Sequence, residues 1–315
     1  MACQLTIEER EQIAQFRIQG LSRSDIAGRL GRHATTIGRE LKRNSDGGTY
    51  WASAAQSKAQ ARRRQRRKKL DDPDLNEYVR VGLVKRWSPE QIAGRLLRER
   101  RQKLSPMTIY RWIEADEDRE HWQSFLRRGR RRTEPDGRGK LPARAEIAGR
   151  PGVVEKRSRF GDWEGDTVVS KQRRGGLVTL VERKSGFASV RKVKRLKAQN
   201  VRRSIERQVA RLPSGLRRTL TLDNGKEFAQ HRHIARTTLL DIYFARPYHA
   251  WERGSNENFN GLLRQFFPKG TDFTGISPLE VKYVLDLLND RPRKRLGYRT
   301  PREVLGLHYP VAFEL

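Results

Sequence analysis

The chain has 315 residues, with 68 Lys and Arg against 37 Asp and Glu, for a formal net charge of +31. So large an excess sets aside an ordinary metabolic enzyme and calls for a polyanionic partner; a mean hydropathy of −0.86 and the lack of any apolar run near ~18 residues disfavour a membrane and leave nucleic acid. With a single cysteine, Cys3, there is no internal disulfide or cysteine zinc site, and MACQLTIEER is not a secretory signal, so the expected location is the cytoplasm, on the nucleoid when DNA is bound.

In chain order, residues 1–45 read as three helices. Thr6 and Glu9 form a capping-box pattern, and Ile13 and Phe16 give a stripe that ends near Gly20. A short helix from Ser22 carries Ile26, Ala27 and Leu30; Gly31 supplies a turn, and Ile37 and Leu41 anchor a third helix. This is the pattern of a helix-turn-helix DNA-binding domain, whose third helix presents Arg32, Thr35, Thr36, Arg39 and Arg43 away from the apolar face. Residues 46–84 read as a basic helical linker that contains the run from Arg62 to Lys69, a sign that suits phosphate. Over 85–115 a weaker two-helix version follows. Ser88-Pro89-Glu90-Gln91 starts one helix, with Ile92, Ala93, Leu96 and Leu97 as its buried stripe. Ser105-Pro106 starts the next, with Ile109, Trp112 and Ile113 inward and Thr108 and Arg111 outward toward DNA. This pair serves either as a DNA reader or as scaffold. Residues 116–150, with the cluster Arg127 to Arg132 and then Pro135, Gly137, Gly139 and Pro142, read as a basic linker.

From about 158 the period changes. Trp163–Val169, Leu177–Val181 and Phe187–Val193 read as three strands, 198–212 as a helix, and Thr219–Leu222 as a fourth strand running into Asp223. A short helix at 230–239, a strand at Ile242–Ala245 and a final helix from Asn256 to Phe267 complete a mixed α/β domain, taken as 151–292, before a tail at 293–315.

Acids stand at strand ends and a helix start. Asp166 lies on the first strand, Asp223 closes the fourth, and Glu257 opens the last helix. Acids that converge need a cation between them, and a divalent metal is the natural one. Periodicity does not select these three, because Asp162, Glu164 and Asp166 alternate onto one face and Glu227 follows Asp223 by four residues.

The segments WEGDTV, LTLDNGKEF and RGSNENFNGLLRQFFPKGTDF, with the tail NDRPRKRLGYRTPREVL, resemble the signatures of the bacterial insertion-sequence transposases of the IS-thirty family. The resemblance covers most of the chain and implies a retroviral-integrase or RNase H-like core. It implies that Asp166, Asp223 and Glu257 are the Asp-Asp-Glu catalytic and metal-binding triad; thirty-three residues separate the last two, as that triad's name requires. Two Mg²⁺ ions are then the expected cofactors, with Mn²⁺ able to replace them. Asn224 and Gly225 would turn the chain to expose Asp223. Lys226, Arg253, Asn256, Asn258, Asn260 and Arg264 would touch phosphates near the scissile bond. His249 and Trp251 read as packing, since metal-bound water needs no histidine.

The expected function is a DNA transposase that binds terminal inverted repeats as a homodimer or larger assembly, cleaves the strand and joins it to target DNA by direct transesterification. Resemblance alone implies a circular intermediate. Two alternatives compete: a catalytically idle DNA-binding regulator derived from a transposase, and a nuclease of the RNase H type.

Overall fold

In the computed structural model residues 4–64, 69–127, 147–170, 175–246 and 250–309 are described, and they divide into two compact units, 1–76 and 77–315. The central part of the basic run and most of the 116–150 segment lie outside the described residues, as do His249 and the side chain of Trp251.

In the first unit Thr6 and Glu9 form the reciprocal cap that starts α1 (Ile7–Ile18). Ser22 and Asp25 make a second such cap for α2 (Arg23–Arg29). After Gly31, at φ +60, His33 caps α3 (Ala34–Asn44) by accepting from the Thr35 backbone N–H. Ile13, Ile26, Ile37, Leu41 and Ala55 close one core, the last from α4 (Ala52–Arg64). Across that core runs a buried ion pair: Arg10 Nε lies 2.7 Å from Glu40 Oε1, and the Tyr50 hydroxyl donates to the same oxygen at 3.0 Å. Burial beside Glu40 pushes the Tyr50 phenol up.

The second unit takes in most of α5 (Pro73–Val84), then α6 (Pro89–Arg100), α7 (Pro106–Ala115) and α8 (Arg119–Phe125). In α6 the stripe of Ile92, Ala93 and Leu96 is buried, but Leu97 is 45% exposed, because one more apolar residue widens the stripe past the buried face. Trp112 is half-buried against Trp122, their rings 5.5 Å apart. α6 is fastened to the chain's C-terminal portion. Gln91 Nε2 donates to Pro292 O at 2.8 Å, and Arg95 reaches both Tyr298 O (3.1 Å) and Glu303 (2.7 Å). Gly94 faces the Tyr298 ring so closely that a Cβ there would meet it at 2.3 Å.

The mixed α/β domain follows a short α9 (Gly152–Glu155). Strands β1 (Asp162–Val169), β2 (Gly176–Glu182) and β3 (Ala188–Val193) form an antiparallel meander, and β4 (Thr219–Leu222) and β5 (Asp241–Phe244) add in parallel on the other side of β1, giving the order β3-β2-β1-β4-β5. One face packs against α10 (Ala198–Val209) and α11 (His231–Thr238) through Trp163, Val178, Leu180, Val201 and Ile205. The other packs against α12 (Gly254–Leu263) and α13 (Pro278–Asn289) through Val168, Val190, Phe259, Leu263 and Val284. This is the architecture that the RNase H-like resemblance implies. The final helix expected to reach Phe267 stops at Leu263, and two more follow it: α13, and α14 (Pro301–Gly306).

Candidate active site

The alternation along β1 puts Asp162, Glu164 and Asp166 on the α12 face, and their surroundings separate them. Asp162 is buried, held by Arg159 at 2.9 Å and by the Thr219 hydroxyl at 2.9 Å. Glu164 is fully buried; one oxygen accepts from Arg183 at 2.6 Å and the other from the Asn256 backbone N–H at 2.8 Å. A carboxylate on the first turn of α12 also suits the positive end of that helix. Glu164 thus anchors the helix and has no oxygen left for chemistry at the surface. Asp166, further along the strand, keeps its side chain 18% exposed.

β1 and β4 run parallel with Asp162, Glu164 and Trp163 beside Thr219, Thr221 and Leu220, so the register carried two residues on sets Asp166 beside Asp223. Leu222 lies against Gly165, where a Cβ would stand 2.6 Å from its side chain, and this close approach lets the strands pack without a bulge. The Asp223 carboxylate is fixed by the Gly225 N–H at 2.9 Å. Asp166 accepts from Asn260 Nδ2 at 2.8 Å and from the Thr167 N–H at 2.8 Å.

Arg253 reaches between the two aspartates. Its guanidinium donates to Gly165 O at 2.9 Å, with Nη1 3.7 Å from Asp166 and Nη2 3.6 Å from Asp223. Glu257 lies in the first turn of α12, exposed, four residues after Arg253 and three before Asn260, so it shares the helix face whose members touch Asp166. Two carboxylates set around one cation are a donor set that suits a hard divalent ion with oxygen ligands. Among the described residues no group of three acidic, histidine or cysteine side chains is drawn together at metal-holding distance. Glu227 belongs elsewhere: it accepts from the Thr167 hydroxyl at 3.0 Å, and Thr167 alternates with Asp166 onto the other face.

The residues expected at DNA divide. Thr35, Arg39 and Arg43 are exposed on α3 and Thr36 is half-buried, while Arg32 is engaged with Glu9 at 2.7 Å, which holds the Glu9 carboxyl below its usual range. On α7, Arg111 is exposed and Thr108 half-buried. Lys226 and Asn258 are exposed. Asn256 is not available to phosphate: it is 0% exposed and its backbone is tied to Glu164. Asn260 and Arg253 are turned to the aspartates, and Arg264, half-buried, donates to Pro268 O at 3.2 Å, with burial pushing its guanidinium down. Spacing did not reveal Arg183, which joins Glu164, Glu155 and the Val154 carbonyl; its only signal is the basic pair Arg183-Lys184 at the end of a buried strand.

A helix-turn-helix domain family matches residues 3–44. The transposase for insertion sequence element IS4351 of Bacteroides fragilis is 41% identical over 312 residues, covering 96% of this chain and 95% of that protein. The InsI transposase of IS30C from Escherichia coli is 36% identical over 318 residues, covering 96% and 83%. That of IS1086 from Cupriavidus metallidurans is 36% identical over 319 residues, covering 96% and 94%. Among solved structures, the catalytic core domain of BIV integrase aligns at TM-score 0.36 and 21% identity, covering 46% of this chain and 92% of that one.

Proposed function

The chain belongs to the IS30 family of insertion-sequence transposases, and from that premise we propose that Asp166, Asp223 and Glu257 are its catalytic, metal-binding acids. It is a DNA transposase, an enzyme that cuts DNA and transfers strands. The observation that carries the assignment of the acids is the meeting of Asp166 and Asp223 on one cation, Arg253, one helical turn before Glu257.

In this reading the metal supplies Lewis acidity and an activated oxygen nucleophile. Asp166 and Asp223 hold it from neighbouring strands and Glu257 from the helix. Asn260 keeps Asp166 oriented, the Gly225 N–H does the same for Asp223, and Glu164 with Arg183 fixes the start of α12 that delivers Glu257. Mg²⁺ is the expected ion and Mn²⁺ its substitute. The exposed face of α3 reads the inverted repeat, with Arg39 and Thr35 at base edges and Arg43 on phosphate. Asn258, Lys226 and Arg264 lie near the cut strand, and two ends are held by a homodimer or larger assembly.

Asp223→Asn removes one ligand charge at nearly constant volume. Cleavage of end-containing duplex with Mg²⁺ or Mn²⁺ should fall at least a thousandfold, with end binding retained. Cleavage that survives in Asp223→Asn, Asp166→Asn and Glu257→Gln would reject the assignment.

A further inference from the structure

The open edge of the sheet carries a cationic cleft that the acids do not use. β3 is the outermost strand on its side, and a cleft of about 310 Å³ lies along it, lined by Arg191, Lys192, Gln208, Arg211, Lys282 and Arg302. The one acid lining it, Asp286, is already held by Arg302 at 2.6 Å. Arg191 points to the α10 side, as Phe187 and Val193 on the same strand do, and there it lies within electrostatic range of Arg207 and of Arg211, which lines the same cleft. Burial and these two like charges push the Arg191 guanidinium down, and among the described residues none of the three has an acidic partner. The end of α10 accounts for Arg207 and Arg211, whose charges suit the negative pole of that helix. It does not account for a half-buried arginine on the neighbouring strand facing both. Such an arrangement is costly unless an anion completes it. Gln208 adds a second mark. It is 4% exposed, its Nε2 donates to Ser204 O at 3.3 Å, and its Oε1 accepts from nothing among the described residues. A buried acceptor lining a cationic cleft suits a hydrated anion, whose water donates to the amide while arginines hold the charge.

We propose that Arg191 and Arg211, with Lys282 and Gln208, form a second nucleic-acid site on the catalytic unit, which takes the phosphodiester backbone of the target duplex. The proposal rests on the transposase reading above. The helices matched as a helix-turn-helix domain lie at 3–44, in the other compact unit, so the cleft is a site separate from them. Asp166 pairs with Thr179 and Thr179 with Val190, so the Arg191 backbone is one residue from the row that crosses to Asp166, two strand spacings or ~10 Å across the sheet; the side chains point to opposite faces, so the path from cleft to acids runs round the open β3 edge. That is well within one turn of duplex, ~34 Å.

The test uses the full chain with end-containing DNA and a separate unrelated duplex. In Arg191→Gln/Arg211→Gln, cleavage at the end should stay within about twofold, joining to the second duplex should fall at least tenfold, and the concentration of that duplex giving half-maximal joining should rise. Arg211→Lys, tested as a single variant, should stay near the unaltered protein, since charge without fork geometry is enough for a phosphate. In parallel, an unrelated duplex bearing photoreactive groups on its phosphates should attach to peptides spanning 187–193 and 203–211. Unchanged joining, an equal loss of cleavage and joining, or a change in the mass of the assembly (a face between copies) would each overturn the proposal. Should the unaltered chain show no metal-dependent cleavage, the transposition reading fails by itself, and the photoattachment still decides the cleft: no attachment to those peptides rejects it.

Discussion

At the scale of single residues, environment decides what a charge does. Three acids alternate along β1, but Asp162 and Glu164 have their oxygens taken by Arg159, Thr219, Arg183 and the start of α12, and Asp166 alone stands at the partly exposed end. Their spacing in the sequence is uniform, while most of their partners come from distant segments, so no local pattern could have ranked them. Arg253 is the other case. Placed beside a glycine and a helix start, it reads as a phosphate contact, yet it sits where a metal between Asp166 and Asp223 would sit. It therefore competes with that metal. Arg253→Ala should tighten binding of Mn²⁺, measured by the electron paramagnetic resonance of the free ion, by about tenfold, or ~1.4 kcal/mol. Unchanged or weaker Mn²⁺ binding would show that the guanidinium does not stand in the ion's place.

At the scale of elements, helix starts are well encoded and strand-to-strand turns are not. Ser88-Pro89-x-Gln91, Ser277-Pro278-x-Glu280 and Thr300-Pro301-x-Glu303 are one device used three times, a cap, a proline in the first turn and a reciprocal acceptor. The first was legible, and the other two, which begin α13 and α14, carry the same signal. The turn between β2 and β3 hides a feature of a different kind. Glu182 is fully buried and accepts from the Ser185 backbone N–H at 2.6 Å and from its hydroxyl at 2.5 Å, while its other oxygen has no hydrogen-bond partner among the described residues. Burial pushes this carboxyl up despite those bonds. A carboxyl raised in the folded state holds its proton there longer than in the unfolded chain, so its contribution is present below the unfolded value, near ~4.3, and is lost as pH rises through the folded value. Glu182→Gln keeps an acceptor for Ser185 and removes the titration. The variant should gain in unfolding midpoint relative to the unaltered chain as pH rises above the unfolded value; a difference that does not change with pH would mean that Glu182 is not the titrating group.

At the scale of the whole molecule, charge and division of labour are the governing facts. A net charge of +31 makes phosphate contact the main source of affinity, while base contacts set preference. Binding of the full chain to end DNA should weaken steeply with salt, with a log–log slope of several units. Arg39→Ala should cost about 1–3 kcal/mol on end DNA and much less on random DNA. Equal losses on both would mean that Arg39 touches only phosphate. The helix pair at 85–115 shows why local pattern is an incomplete guide at this scale. Its sequence suits a second DNA reader, but one face of α6 is spent on the tail through Gln91, Gly94 and Arg95, which leaves the exposed Arg98, Arg100 and Arg101 at its end and Arg111 on α7 as its basic surface.

Without its fold, the chain determines its partner, its helix-turn-helix front, its strand and helix order and the reaction class its motifs resemble. These follow from net charge, from apolar periods of about 3.6 and 2 residues, and from caps whose two halves lie three residues apart, all of which act within a few residues or over the whole composition. The tertiary structure alone decides which of the alternating acids stays partly exposed and shares its cation with Asp223, that Asn256 is interior, that α6 is bolted to the tail, and that Arg191 lies within electrostatic range of Arg207 and Arg211. Those outcomes depend on strand register and on which helix covers which face, and they are fixed only when segments far apart in sequence are packed together.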